Sequence, residues 1–546
     1  MKKTKTLYFL ASILFAALSF TACTEDNSMT LIETPKKNNS VSDPVIRALS
    51  KVPGVYGISV KHYDTSELEK DEIDKTLLND SVYIFYVEQP VNYKDPSMGY
   101  YSHRCKLRFK DFDKNVVVYT NGYDMYPSVT RPHDLALEFD ANELYIEHRY
   151  FGESLPENFE DVSLTYLNAD QQAHNIHNIV SALRSTIFTQ GKWISTGTSK
   201  CGITTALQAY YSDMYGWKDI DVFVPFCAPF INGITFQDGS FCCDDSRVGT
   251  YLWETCGNGY EKGSTEQIAY ERLRKIPYYI CTNEKIRQAA NHAMSLAAPT
   301  EYVKIIKQYN DKSTLSTGDL TKDITAFSIN LYYILLYRKF SYVNYSKWAS
   351  LVPDPELLAS DEATQKDFDD FENFISMDEE AVEKALKKNQ SATRSAIEDH
   401  WDFLEKRRQD TTEPYEVQAY KELGGLGIDY SLVDGQYLTA QQCFNVNYIL
   451  TKQYTFERTY TQDKGQLMRD FNQWVKTEST MPIVFVYAYN DPWTGAGITP
   501  DKVKDNPMVT SIIDYIAVHN HYIRDPESFM PESRQAIVGA INKFLK

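Results

Sequence analysis

The chain has 546 residues, enough for a large core or several domains, and 43% hydrophobic with 14% aromatic residues is the composition of a folded globular protein. A formal net charge of −18 argues against a nucleic-acid partner, because neutralising phosphates needs a field of lysine and arginine, and no basic stripe interleaved with aromatics occurs. No Cys-x-x-Cys spacing, His-rich tract, Walker-type loop or Gly-x-Gly-x-x-Gly loop is present, so neither a metal nor another cofactor is expected.

The first segment reads as an export signal. Lys2, Lys3 and Lys5 precede an apolar stretch from Leu7 to Ala22, too short and wrongly flanked for a lasting membrane span. It ends Phe20-Thr21-Ala22-Cys23, which resembles a bacterial lipoprotein signal with Cys23 as the lipidated new N-terminus. The polar residues 24–45 read as a tether, so membrane contact through the lipid anchor alone is expected, at the outer membrane. Eight further cysteines, from Cys105 to Cys443, cluster partly between 227 and 281, where local disulfides are expected in an exported chain.

Residues 81–88 and 104–110 alternate in polarity and read as antiparallel edge strands. Val116 to Tyr119 is an unbroken apolar run, as in a strand buried on both faces. Strands at 143–149, 192–196 and 221–226 alternate with helices at 169–186 and 200–213, the pattern of parallel βαβ units. After about 245 the periodicity turns helical, with segments at 264–276, 299–309, 323–342, 378–388, 391–408, 414–422 and 439–477. Strands return at 482–489 and 511–518, and a helix closes the chain at 530–546. The expected organisation is a signal (1–22), a tether (23–45), an α/β domain in two parts (46–245 and 480–546), and a helical cap inserted between them (246–479).

The chemistry concentrates at Ser199. It sits in Gly197-Thr198-Ser199-Lys200-Cys201-Gly202, between an apolar run and a helix, the setting of an α/β-hydrolase nucleophile elbow. A serine hydroxyl needs a general base, and the base needs an orienting carboxylate. In this fold the chain order is Ser, then Asp, then His. Asp491 follows the strand at 482–489, and His519 and His521 follow the strand at 511–518. The oxyanion would be held by the backbone N–H of Lys200 and by that of Tyr123, in the Asn121-Gly122-Tyr123 loop after an earlier strand. His174 and His177 lie three apart on a helix, with no third ligand near in sequence.

The run Glu147-His148-Arg149-Tyr150-Phe151-Gly152-Glu153-Ser154-Leu155-Pro156 resembles the signature of the secreted bacterial prolyl tripeptidyl aminopeptidase family, serine peptidases distantly related to prolyl carboxypeptidase. That family has glycines where this chain has Thr198 and Cys201; Asp491-Pro492-Trp493 and Asn520-His521 match its acid and base segments. The resemblance implies an α/β-hydrolase fold with a helical cap, and the triad Ser199, Asp491 and His521. It implies removal of short peptides, typically tripeptides ending in proline, from free N-termini. A substrate ammonium would need an acid, for which Glu147 and Glu153 are candidates, and Trp493 would line a proline pocket. An esterase or lipase of the same fold is the alternative enzyme, and an inactive or glycan-binding surface lipoprotein the alternative outside enzymes.

Overall fold

The structure is a computed structural model that describes residues 42–61, 81–125, 132–156, 164–235, 241–242, 246–311, 317–377, 412–425, 429–450, 460–519 and 521–546. The signal, Cys23 and most of the tether lie outside these residues, as do the helices expected at 378–388 and 391–408.

Nine strands form one sheet: β1 (Val55–Lys61), β2 (Ser81–Pro90), β3 (Tyr100–Phe109), β4 (Val116–Thr120), β5 (Asn142–Ile146), β6 (Trp193–Thr198), β7 (Val222–Phe226), β8 (Ile483–Ala488) and β9 (Val509–Asp514). Their order is β1-β2-β3-β5-β4-β6-β7-β8-β9. The first three strands and β5 pair antiparallel in succession, and from β5 through β4 to β9 every pairing is parallel. The swap of β4 and β5 and the serine after β6 are those of the α/β-hydrolase fold.

The central strands are apolar without alternation because both faces are covered. Every residue of β4, β7 and β8 is buried. Helices α1 (Ala169–Thr186) and α2 (Lys200–Tyr215) flank the sheet. Asn168 caps the start of α1, and Gly216, at φ 72°, ends α2 in the left-handed conformation that glycine adopts without strain. Between β7 and β8 the described residues are largely helical and add no strand to this sheet. At the centre of this region is α3 (Leu320–Tyr342), in which every residue from Asp323 to Ser341 is buried. It is buried all round because neighbouring helices enclose it. Its cluster reaches the hydrolase part through Ala496 and Trp493.

Two expectations shift. The last strand stops at Asp514, four residues before Val518, because the Asp514 carboxylate takes the N–H groups of Ile516 and Ala517 and turns the chain there. Cys227, Cys256 and Cys281 are buried thiols outside any disulfide, so no bridge joins them.

Candidate active site

Ser199 stands between β6 and α2 with φ 60° and ψ −125°, a conformation costly for any residue with a Cβ. The elbow is held by close packing: a Cβ on Gly197 would come 2.5 Å from the Cys201 carbonyl oxygen, and one on Gly202 would come 2.6 Å from that of Phe226. The Ser199 N–H donates to the Phe226 carbonyl at 2.9 Å. Thr198 and Cys201 both fit this turn. Cys201 is buried, and its Sγ accepts the Gly122 N–H at 3.1 Å, tying the elbow to the loop after β4.

That loop carries the second expected oxyanion donor. A Cβ on Gly122 would meet the Lys200 backbone at 3.0 Å, so the loop runs against the first turn of α2. Lys200 opens the helix, where backbone N–H groups have no partner within the helix. Its ammonium is buried, donates to the Gly122 carbonyl, and lies 4.5 Å from the Phe151 ring centre and 4.9 Å from that of Tyr123. The lysine thus braces the loop.

Asp491 is fully buried after β8 and opens a short 3₁₀ turn over Pro492–Ala496. Its Oδ2 lies 2.6 Å from His519 Nδ1, and its Oδ1 takes the Trp493 N–H at 3.2 Å. His519 Nε2 is buried with no hydrogen-bond partner. The acid's partner is therefore His519 and not His521. β9 ends at Asp514, and the turn that follows it brings His519 to Asp491. Asn490 fixes this register through the Ala517 carbonyl. The His521 Nδ1 is bonded to the Val518 carbonyl at 2.8 Å, its ring stacks on Phe529, and burial lowers its pKa.

The Cys227 Sγ lies within 4.8 Å of the Asp491 and His519 ligand atoms. These are metal-ligand residue types, but His519 Nδ1 is committed to Asp491, and burial, reinforced by the Asp491 charge, pushes the Cys227 thiol well above its ordinary value. A protonated thiol is a poor ligand, and the trio reads as a hydrogen-bonded support for the imidazole.

A cavity opens at Ser199, lined by Tyr123, Lys200, Ile203, Pro229, Tyr342, Tyr415 and Trp493 among others. Trp493 is part of this wall, and the two candidate acids are not. Glu147 is fully buried and saturated: Arg104 pairs with it at 2.5 Å, and it accepts from the Met125 N–H at 2.7 Å, the Glu153 N–H at 3.0 Å and the Ser154 hydroxyl at 2.8 Å. Glu153 is half exposed, bonded to Arg104 and the Tyr86 hydroxyl. Neither lines the cavity. Arg149 is likewise buried support, donating to Gln171 and to the Val91 carbonyl. His174 packs edge-on against Tyr93, Tyr215 and Trp217, and His177 stacks on Trp217.

Reading the sequence missed the contributions of Tyr342 and Tyr415, which come from the helical region. No spacing rule links a residue in a 200-residue insertion to the elbow. Only the apolar continuity of α3 hinted that its end is buried against something.

Residues 72–284 match the PS-10 peptidase S37 family. The prolyl tri/tetrapeptidyl aminopeptidase of Streptomyces mobaraensis is 23% identical over 410 residues, 74% of this chain and 69% of that protein. Among solved structures, a ligand-bound form of the rice cell wall degrading esterase LipA from Xanthomonas oryzae aligns at TM-score 0.31 and 8% identity, covering 90% of this chain and 97% of that one. An alpha/beta fold family hydrolase from Bacillus anthracis str. Sterne aligns at TM-score 0.28 and 10% identity, covering 84% and 99%.

Proposed function

We propose, for a chain that belongs to the PS-10 peptidase S37 family and is a serine peptidase of the α/β-hydrolase fold, that it removes short peptides, preferentially tripeptides ending in proline, from free N-termini. The observation that carries the catalytic part is the Asp491–His519 pair, 2.6 Å apart, with the far imidazole nitrogen buried and unpartnered. In this reading His519 Nε2 takes the Ser199 hydroxyl proton as Oγ attacks the scissile carbonyl. Asp491 holds the ring tautomer and stabilises the imidazolium. The backbone N–H groups of Lys200 and Tyr123 receive the developing oxyanion. The proton passes to the leaving amine, and water, activated by the same histidine, releases the acyl group from Ser199.

The proline preference draws on two supports. The named Streptomyces relative is a prolyl peptidase, and the cavity walls include Tyr123, Tyr342, Tyr415 and Trp493, flat faces that suit a rigid apolar ring. The amine requirement rests on the relative alone, since Glu147 and Glu153 are bound elsewhere. The test is mass spectrometry of products from peptide pairs of the form Xaa-Xaa-Pro-Xaa, with free and acetylated N-termini. Release of the tripeptide from the free form alone is expected. Equal cleavage of acetylated peptides, or faster turnover of neutral acyl esters, would sink the exopeptidase reading.

We place the protein on a membrane through a lipid at Cys23, on the strength of the Leu7–Cys23 segment. No helix among the described residues is long and apolar enough to cross a membrane. Cys23→Ser should move the protein from the membrane to the soluble fraction; unchanged membrane retention would refute the anchor.

A further inference from the structure

The last two residues of α3 touch the acid–base pair directly. The Ser341 hydroxyl donates to Asp491 Oδ1 at 3.2 Å. The Ser341 carbonyl accepts the His519 backbone N–H at 2.7 Å. The Tyr342 ring stands edge-on to the His519 imidazole, centroids 5.7 Å apart, and lines the Ser199 cavity. Carbonyls in the last turn of a helix lack intrahelical partners, and here the loop carrying His519 supplies one. Ser341 is fully buried and does not line the cavity.

We propose that Ser341 is a positioning residue for hydrolysis, through which the helical insertion holds Asp491 and His519 in catalytic register. The inference rests on the serine peptidase reading of Ser199, Asp491 and His519. Oδ2 of Asp491 serves His519, while Oδ1 is held by Ser341 and the Trp493 N–H, both at 3.2 Å. With the hydroxyl removed, Asp491 loses one of the donors that oppose rotation of its carboxylate, and the imidazole follows it. The carboxylate also keeps more of its negative charge for the imidazolium, which favours the protonated ring. The other titratable groups close to the pair are the Cys227 and Cys256 thiols, the Tyr251, Tyr342 and Tyr487 phenols and the His521 imidazole. All of them remain in the variant.

The test compares the wild-type full chain with Ser341→Ala and Ser341→Cys, measuring kcat, KM, the pH profile of kcat/KM on a cleaved peptide, and fluorophosphonate labelling of Ser199. For Ser341→Ala, kcat should fall ~10- to 100-fold, the scale of a buried hydrogen bond to a charged group. KM should stay unchanged, and the acid limb should move to higher pH. Ser341→Cys, with a similar shape and a weaker donor, should fall between the two, and it carries the test if the alanine chain does not fold. A merely structural serine would lower the melting temperature and leave kcat and the acid limb in place, and that result overturns the proposal. A wild-type chain that is not labelled at Ser199 fails differently: it removes the serine peptidase reading itself, and this inference with it.

Discussion

Glu147 and Asp491 are both fully buried carboxylates just beyond strand ends, β5 and β8, and their surroundings differ in one respect. Glu147 sits among an arginine, two backbone N–H groups and a hydroxyl, so its oxygens are occupied by the protein. Asp491 is as well supplied with donors, but one of them is an imidazole whose other nitrogen has no partner. A closed polar network stabilises the fold. A network that ends in an unpartnered basic nitrogen retains the capacity for one further hydrogen bond. Both acids belong to sequence motifs, so the motif alone does not separate support from chemistry.

The difference predicts opposite phenotypes. His519→Ala or Asp491→Asn should lower kcat by ~10⁴-fold with little change in melting temperature, the scale seen when a triad loses its base or its orienting acid. Steady-state kinetics on a cleaved peptide checks this, and retention of even a tenth of kcat would break the assignment. Glu147→Gln should do the reverse. Removing the buried carboxylate leaves Arg104 only the half-exposed Glu153 and should cost about 1.5 to 3 kcal/mol in denaturant unfolding, the scale of a hydrogen bond to a charged group, while the folded fraction keeps kcat within about tenfold. A stable variant that had lost recognition of free amines would restore Glu147 as a substrate ligand.

A smaller effect concerns pH. Burial lowers the pKa of His103 to about 3 and that of His174 to about 4, and lowers those of His148 and His521 below the ordinary 6.5. Below pH 6.5 the unfolded chain takes protons on these four imidazoles that the folded chain refuses, so stability present above 6.5 is lost on acidification. Glu147 and Glu422, raised by burial from 4.5 to about 7, act in the opposite sense, because the folded chain takes up their protons first, between about 7 and 4.5. Two carboxyls offset two of the four histidines, and the melting temperature should fall from pH 7 to pH 5. A rise would mean the carboxyls dominate.

The central sheet was legible because its strands are fully buried apolar runs, as at Val116–Thr120 and Ile483–Ala488, whereas Ser81–Pro90, expected at an edge, lies inside the sheet between β1 and β3. Ser199 was legible because strand, small residue and helix occur in immediate succession. His521 was favoured over His519 because Asn520-His521 resembles the family's base segment, and a short motif match does not encode which of two nearby imidazoles reaches Asp491; the turn capped by the Asp514 side chain brings His519 there. The Glu147 segment was read as a recognition site, and its partner Arg104 lies 43 residues away on β3. The role of Ser341 depends on a contact spanning 150 residues.

The central claim is that Ser199 is activated by His519 held on Asp491. The most direct measurement is fluorophosphonate labelling of the purified chain, with the modified residue mapped by mass spectrometry, for wild type, Ser199→Ala, His519→Ala and His521→Gln. The account predicts labelling at Ser199 in the wild type and in His521→Gln, and none in Ser199→Ala or His519→Ala. Labelling that survives His519→Ala and disappears in a folded His521→Gln would contradict it.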